Sequence, residues 1–306
     1  MFATKNIEVI PHFQLETLPP PKPPAPFYLR LVRLFFGLSG RLFPMATARL
    51  ALRLFSTPRI RAKHKHSDPV LERARVFEIL YGKQILKGYE WGAGPATVLL
   101  VHGWESRGTA LRSFVPGLVE RGYRVVAFDG PAHGNSEGRR TNLPHFAGAV
   151  CAVIQQVGSL HGVIAHSFGG PTTLFAIAHL DPSITVEKLV LIASPSSTQR
   201  VIGDFMRMVH LPPRAAAAFK ALLHRKVGNR SIEEADVLHN LHTAKVNDLL
   251  VVHDRDDFSV PFESAETIVE KYPGARLLIT HGYGHFALMK QEEVIGRVVD
   301  FVVSHD

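Results

Sequence analysis

Ser167 stands at the apex of Ala165-His166-Ser167-Phe168-Gly169-Gly170, directly after the apolar run Gly162–Ala165 and ahead of a helical stretch. Small residues two positions either side suit a sharp strand–turn–helix that pushes the serine hydroxyl out of a sheet. Such a turn also leaves the Phe168 amide at a helix start, where negative charge is favoured. A serine hydroxyl becomes a nucleophile only with a base beside it and a carboxylate to orient that base. Both residue types follow later apolar runs. The run Leu249–Val252 ends in His253-Asp254-Arg255-Asp256-Asp257, ahead of Val260-Pro261, and the run Leu277–Thr280 ends in His281-Gly282-Tyr283-Gly284-His285. Asp257 is the expected acid, with Asp256 its substitute, while Asp254 is expected to bond its own turn. His285, beside Gly284, is preferred to His281, which lies nearer its strand end. An acyl-transfer site also needs donors for a developing oxyanion. The Phe168 amide supplies one, and Gly103 in His102-Gly103-Trp104 lets the chain turn the Trp104 amide inward as the second. His102 is read as tying that loop down.

Those residues need a frame. Short, nearly uninterrupted Val/Leu/Ile runs at 97–101, 124–128, 162–165, 188–192, 249–252 and 277–280 are the mark of strands buried on both faces. An opening hairpin, Ala74–Tyr81 and Ile85–Trp91 around Gly82-Lys83, raises the count to eight strands. Helical stretches near 108–121, 145–157, 168–180, 262–272 and 290–303 alternate with them, so the expected architecture is α/β and mostly parallel. In such sheets ligands bind beyond the carboxyl ends of strands, which is where the chemical residues fall. Residues 196–246 are too long for an ordinary crossover and read as a helical cap inserted over the sheet. Its apolar side chains, Phe205, Met206, Met208, Leu211, Phe219, Leu222 and Leu223, suit an acyl chain and equally suit the cap's own interior. The substrate-binding residues expected are Trp104, His166, Phe205 and Met208.

Taken together, these motifs resemble the α/β-hydrolase fold superfamily in its serine-nucleophile branch. The resemblance covers residues 75–303 and rests on His102-Gly103-Trp104, Asp129–Ser136, His166–Gly170, Asp257 with Val260-Pro261, and Gly284-His285. It implies hydrolysis of a small acyl substrate, foremost a carboxylic ester, through an acyl-enzyme, with the insertion acting as a substrate-selecting cap. It also implies that Asp129 and His133 stabilise a loop. Serine at the apex speaks against haloalkane dehalogenase and epoxide hydrolase chemistry, which use a carboxylate nucleophile in this fold. Amide hydrolysis, acyl transfer to another acceptor, and a non-catalytic protein of the same fold stay open. No cofactor is expected, and no metal, since His210, His224, His239 and His242 lack a tight ligand spacing.

The chain has 306 residues, 46% hydrophobic and 20% charged, with a formal charge of +8. The charge is concentrated: residues 27–66 hold nine Lys/Arg and no acid, and the rest carries one more acid than base. A near-neutral body argues against a nucleic-acid groove. Cys151, the single cysteine, excludes an internal disulfide or a multi-thiolate cluster. Residues 1–26 carry Glu8 and Glu16, do not read as a secretory signal, and contain a proline-rich tether over 19–26. Phe27–Phe55, broken by arginines, Gly37, Gly40 and Pro44, is too interrupted to span a bilayer and reads as two amphipathic helices. They either pack on the body or lie peripherally on an anionic membrane surface. The units expected are therefore a tail (1–26), a cationic helical arm (27–73), the core (74–195 and 247–306) and the cap (196–246), in a cytoplasmic protein of undetermined oligomeric state.

Overall fold

All eight expected strands form, and a ninth joins them from a stretch read as tail. The structure, a computed structural model, describes residues 7–10, 27–62, 68–227 and 232–304. The proline run at 19–26, and Lys63 and Lys65 of the cationic arm, lie outside the described residues.

The strands are β1 (Ile7–Val9), β2 (Arg75–Tyr81), β3 (Gln84–Trp91), β4 (Thr97–Val101), β5 (Arg124–Phe128), β6 (Gly162–His166), β7 (Thr185–Ile192), β8 (Lys245–Asp254) and β9 (Arg276–Thr280). They lie in the order β1-β9-β8-β7-β6-β4-β5-β3-β2. Only the pairings of β3, with β2 and with β5, are antiparallel. The central strands β4 and β6 are buried at all five positions, as their unbroken apolar sequences require. β1 corrects the eight-strand expectation. Ile7–Val9 runs parallel to β9, with Ile7 opposite Leu277, and the Ile10 amide donates to the Ile279 carbonyl at 2.9 Å. A three-residue strand flanked by polar and proline-rich sequence has no periodicity of its own; the unpaired edge of β9 supplies its partner.

The helices are α1 (Phe27–Leu42), α2 (Pro44–Phe55), α3 (Pro69–Glu72), α4 (Val115–Glu120), α5 (Leu143–Val157), α6 (Gly169–Phe175), α7 (Thr198–Met208), α8 (Pro213–Lys226), α9 (Val237–Leu241), α10 (Glu263–Lys271), α11 (Gly284–Ala287) and α12 (Glu292–Val303). Residues 108–121, expected as one helix, begin as a 3-10 turn over Gly108–Phe114 and become α-helical only at Val115. One core layer packs α5, α6, α9 and α10 on one face of the sheet, and a second packs α4 and α12 on the other.

A third apolar cluster lies apart from the sheet. Phe36, Ala48 and Ala51 of the arm meet Ile202, Phe219 and Leu223 of the insertion, so α1, α2, α7 and α8 form one helical unit. α1 approaches so closely that a methyl group on Gly40 would lie 2.7 Å from Pro212 Cδ. The insertion divides: α7 and α8 pack with the arm, whereas Val237 and Leu241 of α9 belong to the sheet-side core. None of the described helices is long and apolar enough to cross a membrane.

Candidate active site

β6 ends at His166, and the chain turns at Ser167 with φ of +53°, a left-handed conformation that costs a non-glycine residue energy. The turn is pinned by the Ser167 amide, which donates to the Ile192 carbonyl at 2.9 Å. It is also crowded. A methyl group on Gly169 would come within 2.4 Å of the Val101 carbonyl, and one on Gly170 within 2.2 Å of Ser194 Oγ. This is the physical reason for two glycines after the serine. Ser167 itself is partly exposed.

Asp257 follows β8 in a tight loop. Its Oδ1 accepts hydrogen bonds from the Ser259 and Val260 amides at 2.8 and 3.0 Å, and its Oδ2 accepts one from His285 Nδ1 at 2.7 Å. Burial acts to raise its pKa, but the imidazole bond and the two amides outweigh it and hold the carboxyl below the usual range. With its proton held on Nδ1, the His285 ring keeps Nε2 as its basic nitrogen. His285 lies in α11, just after Gly284 with φ of +62°, and packs 4.7 Å, centroid to centroid, from the His166 ring. His166 Nε2 also donates to the His285 carbonyl at 2.9 Å, so the loop bearing the histidine is fastened to the residue preceding Ser167. Ser167 Oγ bonds to none of the described residues. Asp257 and His285 are thus joined, and through His166 both are fastened to the turn at Ser167.

The loop after β4 lies against the same turn. A methyl group on Gly103 would sit 3.0 Å from Ser167 Cβ and 3.1 Å from His166 Nδ1. The Trp104 ring packs edge-on against Phe168 at 5.4 Å and His133 at 5.2 Å. Neither the Trp104 nor the Phe168 amide donates to any of the described residues. Two buried histidines hold this loop. His102 Nδ1 donates to the Gly103 carbonyl at 2.7 Å while its Nε2 accepts from the Gly130 amide at 2.9 Å. His133 Nε2 accepts from the Glu105 amide at 3.0 Å, and burial lowers its pKa to about 3. Asp129 accepts from the Gly108 and Asn135 amides at 2.7 and 2.8 Å.

Other expected residues are placed elsewhere. Asp254 Oδ2 accepts from Thr280 Oγ1 and the Tyr283 amide at 2.7 and 3.1 Å, and Asp256 Oδ2 accepts from the Gly282 amide at 2.9 Å. Both secure the loop around His285. The structure places three of the residues expected to bind substrate as follows. His166 is only 1% exposed, and its pKa is lowered to about 3 by burial and by His285 nearby; it faces the protein interior. The Phe205 ring packs against Phe55 at 4.9 Å and Phe219 at 5.6 Å, inside the cap–arm cluster. Met208 is exposed, and its carbonyl accepts from Arg33 Nε at 3.0 Å. Composition identified Phe205 as apolar and could not say which neighbour would cover it.

The sequence reading passed over His253, whose buried Nε2 lies 3.6 Å from Asp257 Oδ2 and donates to the Val260 carbonyl at 2.9 Å. Its i,i+4 relation to Asp257 carries meaning only once the turn after β8 is known. It also passed over a strap following α2. Arg59 pairs with Glu105 at 3.1 Å, and Arg61 Nη2 donates to the Ser136 and Gly138 carbonyls at 2.7 and 2.9 Å.

A serine on a strained turn after a central parallel strand, with an acid–histidine pair from later strand ends, defines a class of fold and site. The model of the alpha/beta hydrolase family matches residues 98–297, and the chain belongs to that family. It is 27% identical over 263 residues to a non-heme haloperoxidase of Rhodococcus erythropolis, covering 70% of this chain and 94% of that protein. Over 111 residues it is 32% identical to a bifunctional esterase/perhydrolase of Acinetobacter calcoaceticus, covering 34% of this chain and 39% of that one. Among solved structures it is similar to an esterase of Pyrococcus furiosus, with a TM-score of 0.60 and 22% identity over 79% of this chain and 96% of the other.

Proposed function

We propose that this protein hydrolyses carboxylic esters through an acyl-enzyme on Ser167. The reading rests on the 2.7 Å bond from His285 Nδ1 to Asp257, fastened beside a serine held at φ of +53°. In this reaction Ser167 Oγ attacks the acyl carbon while His285 Nε2 takes its proton, and Asp257 holds the imidazole and stabilises its charge. The Trp104 and Phe168 amides receive the oxyanion. His285 then protonates the departing alcohol, and water, deprotonated by the same ring, releases the acid and restores the serine. An activity-based fluorophosphonate probe tests the reading alongside hydrolysis of p-nitrophenyl esters of graded chain length. Labelling and turnover are both expected in the native protein and lost in Ser167→Ala, with turnover falling by about a thousandfold or more. Undiminished labelling of that variant overturns the assignment.

A second reading is favoured by the relatives named as a haloperoxidase and an esterase/perhydrolase. Hydrogen peroxide in place of water would attack the same acyl-enzyme and release a peroxy acid. Product analysis with and without peroxide separates the two acceptors.

A further inference from the structure

α1 is apolar on two sides, and among the described residues only one is covered. Its inner side, with Phe36 and Gly40, is buried against the cap. Its outer side presents Phe27, Leu31, Leu34, Phe35, Leu38 and Leu42, all exposed, with Phe27 and Leu42 each 73% exposed. These six recur at helical spacing and form one stripe along the full length of the helix. Phe43, 64% exposed, and Met45, 41% exposed, follow the helix end. So large a contiguous apolar surface marks something that covers it.

The charge around the stripe identifies the cover. On the helical wheel Arg30 and Arg41 fall along one edge of it, next to Leu34. Arg33 and Arg41 line an adjoining cleft of about 380 Å³ whose floor includes Leu34, Leu38 and Pro212. No acid occurs anywhere in residues 27–66. A second copy docked antiparallel, stripe to stripe, would bring the Arg30 and Arg41 edges together with no carboxylate from either arm to separate them. A bilayer with anionic headgroups offers both halves of the match: acyl chains for Leu and Phe, phosphates for the flanking guanidiniums.

We infer that α1 is a membrane-docking helix that lies in the interface of an anionic bilayer, its outer stripe immersed and Arg30 and Arg41 at headgroup level. Its inner face stays clamped to the cap, so the docked unit is α1, α2, α7 and α8 together. The inference is independent of the proposed chemistry, because vesicle binding is read without substrate.

The test uses the full chain and sedimentation with vesicles of phosphatidylglycerol mixed with phosphatidylcholine, against vesicles of phosphatidylcholine alone. The native protein is expected to bind the anionic vesicles at least about tenfold more tightly, with binding weakened at high salt. The double variant Leu31→Glu, Leu38→Glu changes only exposed positions and should bind neither vesicle. Arg30→Gln combined with Arg41→Gln should keep residual binding and lose the preference for anionic lipid. Unchanged thermal midpoints in both variants confirm that they fold. Absence of native binding to either vesicle, or equal binding by the leucine variant, overturns the inference. So does a native dimer that the leucine variant converts to monomer in sedimentation velocity, since the stripe would then belong to a second copy.

Discussion

Replacing Asp257 by Asn keeps its size and its amide contacts but removes the charge that holds the proton on His285 Nδ1. Turnover is expected to fall by about 10³–10⁴-fold with little change in fold, as read by steady-state kinetics beside circular dichroism. Asp254→Asn should do the reverse, because Asp254 secures Thr280 and Tyr283; its loss should lower the unfolding midpoint more than the turnover. The buried histidines set the response to acid. His133 and His166 stay neutral in the fold down to about pH 3, whereas in the unfolded chain they bind protons below about 6.5. The unfolded state therefore holds more protons in that window, and stability falls as pH drops from 6.5 toward 3, each ring contributing up to about 1.4 kcal/mol per pH unit. Asp257, held below its unfolded value, adds a further loss as pH falls through the ordinary carboxylate range. Urea midpoints measured against pH should show this slope, and His133→Gln should make it shallower; an unchanged slope would sink the argument. The serine, acid and histidine were legible in the sequence because each follows an apolar run and is fixed by turn chemistry that short motifs record. The inward aim of His166 was not, since a residue at a strand end can face either way until its neighbours are known.

At the scale of elements, the arm and the insertion's helices α7 and α8 stand or fall together. Phe219 is fully buried and receives Phe55 and Phe205 on its ring, one from each side of the arm–cap seam. Phe219→Ala is expected to cost about 3–5 kcal/mol, measured by chemical denaturation. A cost under about 1 kcal/mol would mean that the seam contributes little to holding the helices. Helical periodicity revealed α1 and α2, but it records which residues are apolar and not what they meet. For α1, with apolar residues facing both ways, the pattern alone gives no seam. The six strands of the parallel core were readable for the opposite reason: a run buried on both faces admits few other conformations. β1 was not readable, because three residues pair only when an edge already exists.

The whole molecule is closed by contacts between residues far apart in the chain. β1 pairs with β9 across nearly the full sequence, and Ile10, 2% exposed, sits in the core layer that contains α12. Ile10→Ala should lower stability by about 2–5 kcal/mol while sparing turnover, a separation that parallel denaturation and kinetic measurements can read. The strap between arm and body has a consequence for anyone who would simplify this protein. Cutting the gene back to the stretch that matches the family would discard Arg59 and Arg61, the two guanidiniums that clip the loops holding Trp104 and His133. What remained would keep Ser167, Asp257 and His285, and the bonds of His102 and His133, yet lose these two outer clips on the same loops. The smallest unit recognisable by ancestry is therefore smaller than the smallest unit that is mechanically whole.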